Sequence, residues 1–368
     1  MLPRKFNRLF RILILILVVL FLVGCKQINK EPVKIGIVMP LSGQYSDIGD
    51  SMKEGFELAL DEINDGDGIS GRMIKLIYED DRCDKEIAKG LMEKLMSKDK
   101  VAAFSGFYCE KPVKAAAKFA LDHKIVIVSS GVNLGKLTEY LFSSSFPVVR
   151  ESHYIAIFAK NYLNLSNIGI LYDNNDRSML AAEAFKIKFE EASGTVTIHE
   201  TTADYRDAIR KIKEKDSDGI FIASDYIINI MNYLKEIGFD GEILTYSDAE
   251  SKNPKYLEEI YYPNSINNEK LISSQINFKS NYMTKYGKAD FNAVTADSYD
   301  ALNILVYGLR KCETIEFDGG CVSSVLRKIK DYQGAGGKFT FEKNMWGFDR
   351  GFIIKTVKDG EFVNYKEI

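Results

Sequence analysis

Histidine is scarce in this chain: only His123, His153 and His199, far apart among 368 residues. With no HExxH and no GxSxG segment, the sequence supports neither a metalloprotease-type site nor a Ser/His/Asp arrangement. Basic residues are in the minority, 49 Lys and Arg against 52 Asp and Glu. A balance of that sign disfavours nucleic acid, whose phosphates demand a basic surface. No CxxC pair occurs, no short-period repeat or low-complexity segment is present, and no apolar run reaches the ~20 residues a spanning helix needs. What remains is 46% hydrophobic and 27% charged, long enough for two α/β lobes, each with its own core.

The longest apolar run, Ile12 to Val23, follows Arg4, Lys5, Arg8 and Arg11 and has the shape of an export signal, an uncleaved anchor being the rival reading. It ends in Leu22-Val23-Gly24-Cys25, which resembles the bacterial lipobox, where small residues admit the peptidase and the cysteine takes the lipid. By that resemblance residues 1–24 are a lipoprotein signal peptide, Cys25 is the lipidation site, and residues 25–32 are a short tether. Removing the leader's four basic residues leaves 45 against 52 acidic, a balance of −7. Lipidation of Cys25 leaves Cys83, Cys109, Cys312 and Cys321, which would fall into two local pairs, Cys83 with Cys109 and Cys312 with Cys321. Metal binding is the rival, disfavoured by the missing CxxC and the dispersed histidines.

From Val33 short β runs alternate with helical stretches. Val33 to Met39 reads as a buried strand, and Met52, Phe56, Ala59, Leu60 and Ile63 share one helix face. Met73 to Tyr78, Val101 to Ser105 and Ile125 to Val128 continue as strands, with helices near Lys85 to Met96 and Pro112 to His123. After Pro147 a second series runs through strands at Asn167–Tyr172, Thr195–His199, Gly219–Ala223 and Glu242–Tyr246, with helices ending near Ala192, Lys213 and Ile237. Two long helices, Leu271 to Tyr286 and Ala293 to Arg310, precede a hairpin around Asp359-Gly360. Such alternation predicts parallel sheets covered on both faces.

The stretch Ile35 to Asn64, IGIVMPLSGQYSDIGDSMKEGFELALDEIN, resembles the opening of the leucine/isoleucine/valine-binding branch of type I periplasmic binding proteins. The likeness continues through GISGRMIKLIYEDDRCD (Gly68 to Asp84) and FSGFYCE (Phe104 to Glu110), whose Cys83 and Cys109 match a family cysteine and its partner. NYMTKYGKADFNAVTADSYDALNIL (Asn281 to Leu305), GKFTFEKN and GFIIKTVKDGEFV look like the family's returning helices and C-terminal strands. The resemblance implies two doubly wound parallel-sheet lobes joined by three crossings, near Phe146 to Glu151, Asn264 to Ser273 and Tyr332 to Gly337. Lobe 1 is then residues 33–147 plus 274–333, and lobe 2 residues 148–273 plus 334–368.

Two glycine-rich segments invite nucleotide readings, and context refuses both. Gly66-Asp67-Gly68-Ile69-Ser70-Gly71 matches GxGxxG, but a helix precedes it and a strand follows, the reverse of what a phosphate site requires. Ser130 to Thr138 has Gly135-Lys136, yet Ser130 and Leu137 stand where a P-loop needs Gly and Ser or Thr. Glu79, Asp80, Asp81 and Asp84 lack the spacing of an EF-hand and read as a solvated strand exit.

The functional signal lies at the C-terminal ends of first-lobe strands, where loops and helix N-termini favour polar ligand groups. Ser42, Cys109-Glu110 and Ser129-Ser130-Gly131-Val132-Asn133 fall there, and each could equally be a turn or a helix cap. The resemblance makes Ile48 a pocket wall, Tyr108 its neighbour, Gly131 and Asn133 holders of an amino-acid head group, Tyr226 a second-lobe wall and Asp248 the partner of a ligand ammonium. Glu110 departs from the family's serine, and Arg177 stands near a ligand-facing tyrosine. A salt bridge of Glu110 to Lys111 or Arg177 is one reading; a pocket preferring a cationic or neutral polar solute is the other.

The resemblance implies a non-enzymatic, monomeric, lipid-anchored solute-binding protein at the outer face of the cytoplasmic membrane or in the periplasm. It would take an amino acid or related amine or amide by lobe closure and deliver it to an ABC importer, with no cofactor, metal or nucleic acid. A ligand-sensing lipoprotein that signals to a receptor is the alternative.

Overall fold

A computed structural model describes residues 31–367, apart from 132, 136–137, 201–204, 247–248, 250–251, 267–269, 289–290, 313–316, 343–346 and 350. Its first sheet is parallel throughout, in the order β2-β1-β3-β4-β5: β1 (Val33–Met39), β2 (Ile74–Asp80), β3 (Ala103–Gly106), β4 (Ile127–Ser129) and β5 (Leu141–Ser143). Val33, Ile35, Ile37, Val38 and Met39 of β1 are all buried, as expected for a strand covered on both faces. Helix α1 (Ser46–Asp65) turns Met52, Phe56, Ala59 and Ile63 into that core, with Leu60 half-buried beside them. Full burial of each such large side chain contributes roughly 1.5–3 kcal/mol. Helices α2 (Lys85–Lys94) and α3 (Glu110–His123) follow β2 and β3. Asp84 caps α2, its side chain accepting from the Glu86 and Ile87 N–H groups.

The second sheet takes over at helix α4 (Val148–Asn161). Next come β6 (Asn167–Tyr172), α5 (Asp176–Glu191), β7 (Thr195–Glu200), α6 (Tyr205–Lys213), β8 (Gly219–Ala223), α7 (Ile227–Glu236), β9 (Glu242–Thr245) and β10 (Ile260–Asn264). These five strands pair in parallel, in the order β10-β9-β8-β6-β7. Phe158, Phe185, Phe189 and Phe221 fill one face, and Ile209, Ile220, Ile230 and Leu234 the other.

The tail then visits both bodies. Helix α8 (Ser273–Tyr286) packs Phe278 and Tyr282 beside Leu58 of α1. Helices α9 (Ala293–Lys311) and α10 (Gly319–Leu326) carry Leu302, Leu305, Leu309, Val322 and Leu326 into the first core. Gly55 makes the α1–α9 approach possible, since a Cβ there would overlap the Thr295 carbonyl. Strands β11 (Tyr332–Gly334), β12 (Gly337–Glu342) and β13 (Gly347–Asp349) form a small antiparallel sheet, and β14 (Ile353–Lys358) and β15 (Glu361–Glu367) extend the second sheet antiparallel beyond β10.

The structure differs from the sequence reading at one boundary. Residues from 334 onward were expected with the second lobe, but Phe339 of β12 is fully buried in the first core and Phe341 packs on Phe142 of β5, centroids 5.9 Å apart. The tail reaches the second sheet only between Asp349 and Ile353, not near Tyr332 to Gly337. Apolar burial of the two phenylalanines accounts for the shift. The hairpin turn is as its sequence demands: Asp359 and Gly360 both adopt left-handed backbone, φ 55° and 74°.

Candidate functional site

Three exits from the first sheet shape one wall of a cleft. Strand β3 leaves through Gly106 and Phe107, whose φ values of 102° and 54° turn the chain sharply, and the Phe107 N–H donates to the Val38 carbonyl at 2.6 Å. A Cβ at Gly106 would overlap that same carbonyl, so only glycine fits. The turn delivers Tyr108, Cys109 and Glu110 to the N-terminus of α3. Cys109 is joined to Cys83 at the exit of β2, Cα atoms 5.4 Å apart, which ties two of the exits together. A second disulfide, Cys312 with Cys321, lies away from the cleft between α9 and α10.

The opposite wall comes from the second sheet. Asn175 caps α5 by accepting from the Ser178 N–H, and Asp173 accepts from the Ser224 hydroxyl at 2.7 Å and the Asp225 N–H at 2.8 Å, fixing the β6 and β8 exits against each other. Between the walls lies a cavity of about 300 Å³, bordered by Tyr45, Ile48, Tyr108, Glu110 and Lys111 from one side and Asn175, Arg177, Asp225, Tyr246 and Lys252 from the other. Tyr45 and Tyr108 face each other at 6.1 Å, and the Arg177 guanidinium lies 4.5 Å from the Tyr246 ring centroid.

Of the residues singled out in the sequence, Ile48, Tyr108 and Glu110 border this cavity. Ser42 does not: its hydroxyl donates to Asp80 at 2.5 Å and its backbone starts the short turn into α1. Ser130, Gly131 and Asn133 are buried and do not border it. Ser130 accepts from Ser298 at 3.1 Å. Gly131 sits where any Cβ would overlap the Phe107 and Tyr108 backbone. The Asn133 side chain spans Ser145 and Gly135, donating to one carbonyl and accepting from the other's N–H at 3.0 Å each. Tyr226, expected as a second-lobe wall, is 60% exposed and outside the lining; Tyr246, one strand further on and buried, takes that place. Asp248 and Cys25 lie outside the described residues. Glu110 forms an ion pair with Lys114 Nζ at 3.1 Å and accepts the Arg177 N–H at 3.2 Å.

Two carboxyls behind the disulfide are shifted in opposite directions. Burial opposes ionisation of Asp80, but hydrogen bonds from Ser42, Leu41 and Arg82 outweigh it and hold the carboxyl below its usual value. Asp81 is fully buried; burial dominates, the Cys83 N–H counteracts it, Asp80 and Asp84 add repulsion, and the carboxyl is pushed up to about 6. Among the described residues, one Asp81 oxygen has no hydrogen-bond partner. Among the described residues no cluster of His, Cys, Asp or Glu could hold a metal ion, and no helix is long and apolar enough to cross a membrane.

Known proteins share this architecture. An amino acid binding protein from Pseudomonas aeruginosa is 23% identical over 223 residues, 58% of this chain, and the chain spans only 60% of that relative's length. The leucine-binding protein LivK from Thermotoga maritima MSB8 superposes with a TM-score of 0.82 at 23% identity, covering 91% of this chain and 98% of that one. LivJ from Streptococcus pneumoniae, solved with isoleucine, superposes with a TM-score of 0.79 at 22% identity, covering 91% and 99%. At these identities the superpositions speak for the fold. The model of the periplasmic binding protein family matches residues 32–361, and the chain therefore belongs to that family of extracytoplasmic binding proteins rather than enzymes.

Proposed function

We propose that this chain is a lipid-anchored receptor that captures a small polar solute, an amino acid or a related amine or amide, and delivers it to an ABC importer. The observation that carries the reading is the 300 Å³ cavity bordered by two separately cored bodies. That volume suits a molecule of amino-acid size, and ring faces beside charges of both signs suit a guest with an apolar part and polar ends. In this reading Ile48, Tyr45 and Tyr108 hold the guest from lobe 1, and Tyr246, Arg177 and Asp225 from lobe 2. Ser130, Gly131 and Asn133 support the lobe 1 wall rather than touch the guest, and by the resemblance Asp248 would take a ligand ammonium. The relatives named above for amino acids favour the same ligand class.

The mechanism is capture without chemistry. Closure follows if the guest binds the form with the lobes together better than the open one, and the crossings beside Phe146 and Phe352 absorb the rotation. Cys25, lipidated after removal of residues 1–24, would keep the body at the outer face of the membrane as a monomer. Native mass spectrometry of gently purified protein, followed by denaturation to release any trapped molecule, tests the ligand class: an amino acid, amine or amide at one per chain supports it, and a released compound with neither amino nor amide group refutes it. Ligand-stimulated uptake by vesicles carrying the cognate permease tests delivery, and binding without uptake would move the chain to a sensing role.

A further inference from the structure

The two lobes hold each other directly at one corner of the cleft. Glu110 and Lys114 stand one turn apart at the start of α3, and both reach the first turn of α5 in the other body. Glu110 Oε1 accepts from Lys114 Nζ at 3.1 Å, while Oε2 accepts the Arg177 N–H at 3.2 Å. Lys114 in turn forms an ion pair with Asp176. The result is a chain of alternating charge, Asp176 to Lys114 to Glu110, that ends on a backbone donor of α5.

Each link has a local explanation, but their combination does more than a local cap. The first N–H groups of a helix have no partner within it, and an anion there is favoured by the helix dipole. Asn175 already caps α5 through the Ser178 N–H, which leaves the Arg177 N–H to be met by something else. Here it is met by a carboxylate whose side chain is only 20% exposed, and which belongs to the other core. An exposed pair such as Lys114 with Asp176 is weak alone. Sharing Lys114 with a sheltered carboxylate that makes a charge-assisted hydrogen bond across the cleft makes the network stronger than either pair.

We infer that Glu110 and Lys114 form a latch that brings the lobes together without a guest, the Glu110 carboxylate serving as a resident anion at the N-terminus of α5. The inference deepens the proposed capture mechanism, because a guest then enters a protein whose binding-competent form is already populated. Apparent affinity falls in proportion to the competent fraction, so weakening the latch weakens binding even where the guest never touches it.

The test needs no ligand. Energy transfer is measured in the guest-free mature protein between dyes on cysteines introduced at exposed Leu121 in lobe 1 and Ile187 in lobe 2. Wild type is expected to populate mainly the compact form, Glu110→Gln to raise the open-to-compact ratio about threefold, and the Glu110→Ala/Lys114→Met double variant about tenfold, in line with the modest worth of a few polar contacts. Raising salt should open wild type more than the double variant, since only wild type keeps the Asp176–Lys114–Glu110 charges to screen. Lys118→Met, which removes an ion pair made within α3 to Asp122, serves as the control and should match wild type. Thermal melts confirm that each variant is folded. Equal distributions for wild type and the double variant, whether both open or both compact, or an equal salt response, overturn the latch. Since no guest is present, that result leaves the proposed solute capture standing, whereas a failed ligand search leaves the latch standing.

Discussion

Phe146 and Phe352 meet edge to face with ring centroids 4.0 Å apart, although one follows the last strand of the first sheet and the other precedes a terminal strand of the second. Tyr154 of α4 packs on the same Phe352 ring at 4.3 Å. Two of the passages between the bodies therefore share one aromatic contact, and the proposed closure would turn about it. Phe352→Ala should cost about 3 kcal/mol in urea unfolding, the ordinary loss for a buried phenylalanine. It should also broaden the spread of lobe distances seen by energy transfer. An unchanged distribution would place the pivot elsewhere.

Asp81 supplies a prediction with a sign. Its folded value of about 6 exceeds the usual 3.8, so the folded chain holds this proton more tightly than the unfolded chain. The stabilising contribution is complete below about 3.8 and is lost as pH rises through 6. The difference corresponds to roughly 3 kcal/mol. Asp81→Asn cannot lose a proton, so its stability relative to wild type should rise by about 2–3 kcal/mol between pH 4 and pH 7 and level off above. A flat difference across that range would show that Asp81 titrates normally.

The two disulfides should differ in kind. They close spans of 26 and 9 residues, which in the chain-entropy picture are worth about 3.5 and 2.5 kcal/mol. Replacing Cys83 and Cys109 by serine should lower stability and also weaken ligand affinity, because that bond ties two exits bordering the cleft. Replacing Cys312 and Cys321 should lower stability alone. Equal effects on binding would remove Cys83–Cys109 from any part in shaping the site.

Asp300 is buried in α9 and accepts the Ala335 and Gly336 N–H groups at 2.7 Å each, holding the turn between β11 and β12 against the first core. Asp300→Ala should cost about 2–4 kcal/mol, since two buried donors lose a charged acceptor. Protection of the Ala335 and Gly336 amides in hydrogen exchange reports the same loss locally.

Much of this was legible in the sequence, for reasons that can be named. Unbroken apolar runs and strongly amphipathic stretches read well: the Asn167–Tyr172 and Gly219–Ala223 strands and the Tyr205–Lys213 helix fall where the pattern places them. β5 is only three residues long, β10 (IYYPN) carries a proline and a terminal asparagine that read as a loop, and α4 mixes inward polar Glu151 and Ser152 with its apolar face. The site was half legible. Ile48, Tyr108 and Glu110 follow strand ends directly, whereas Tyr246 and Lys252 reach the cleft only because the second sheet turns its own exits toward it. The shift from Tyr226 to Tyr246 has the same cause: a helix-capping position and a strand exit look alike in sequence, and only the fold decides which one faces inward. The resemblance places Asn133 at the ligand head group; in the structure its amide bonds the Ser145 carbonyl and the Gly135 N–H of its own loop.

In the proposed capture a small guest sits between Tyr108 and Tyr246. Calorimetric titration of the purified protein with the common amino acids and their amides addresses it most directly, repeated with Tyr108→Ala and Tyr246→Leu for any compound that gives heat. One-to-one binding of at least one compound is expected, weakened about tenfold or more by each substitution. Heat from none of them, or an affinity that neither substitution alters, would contradict it.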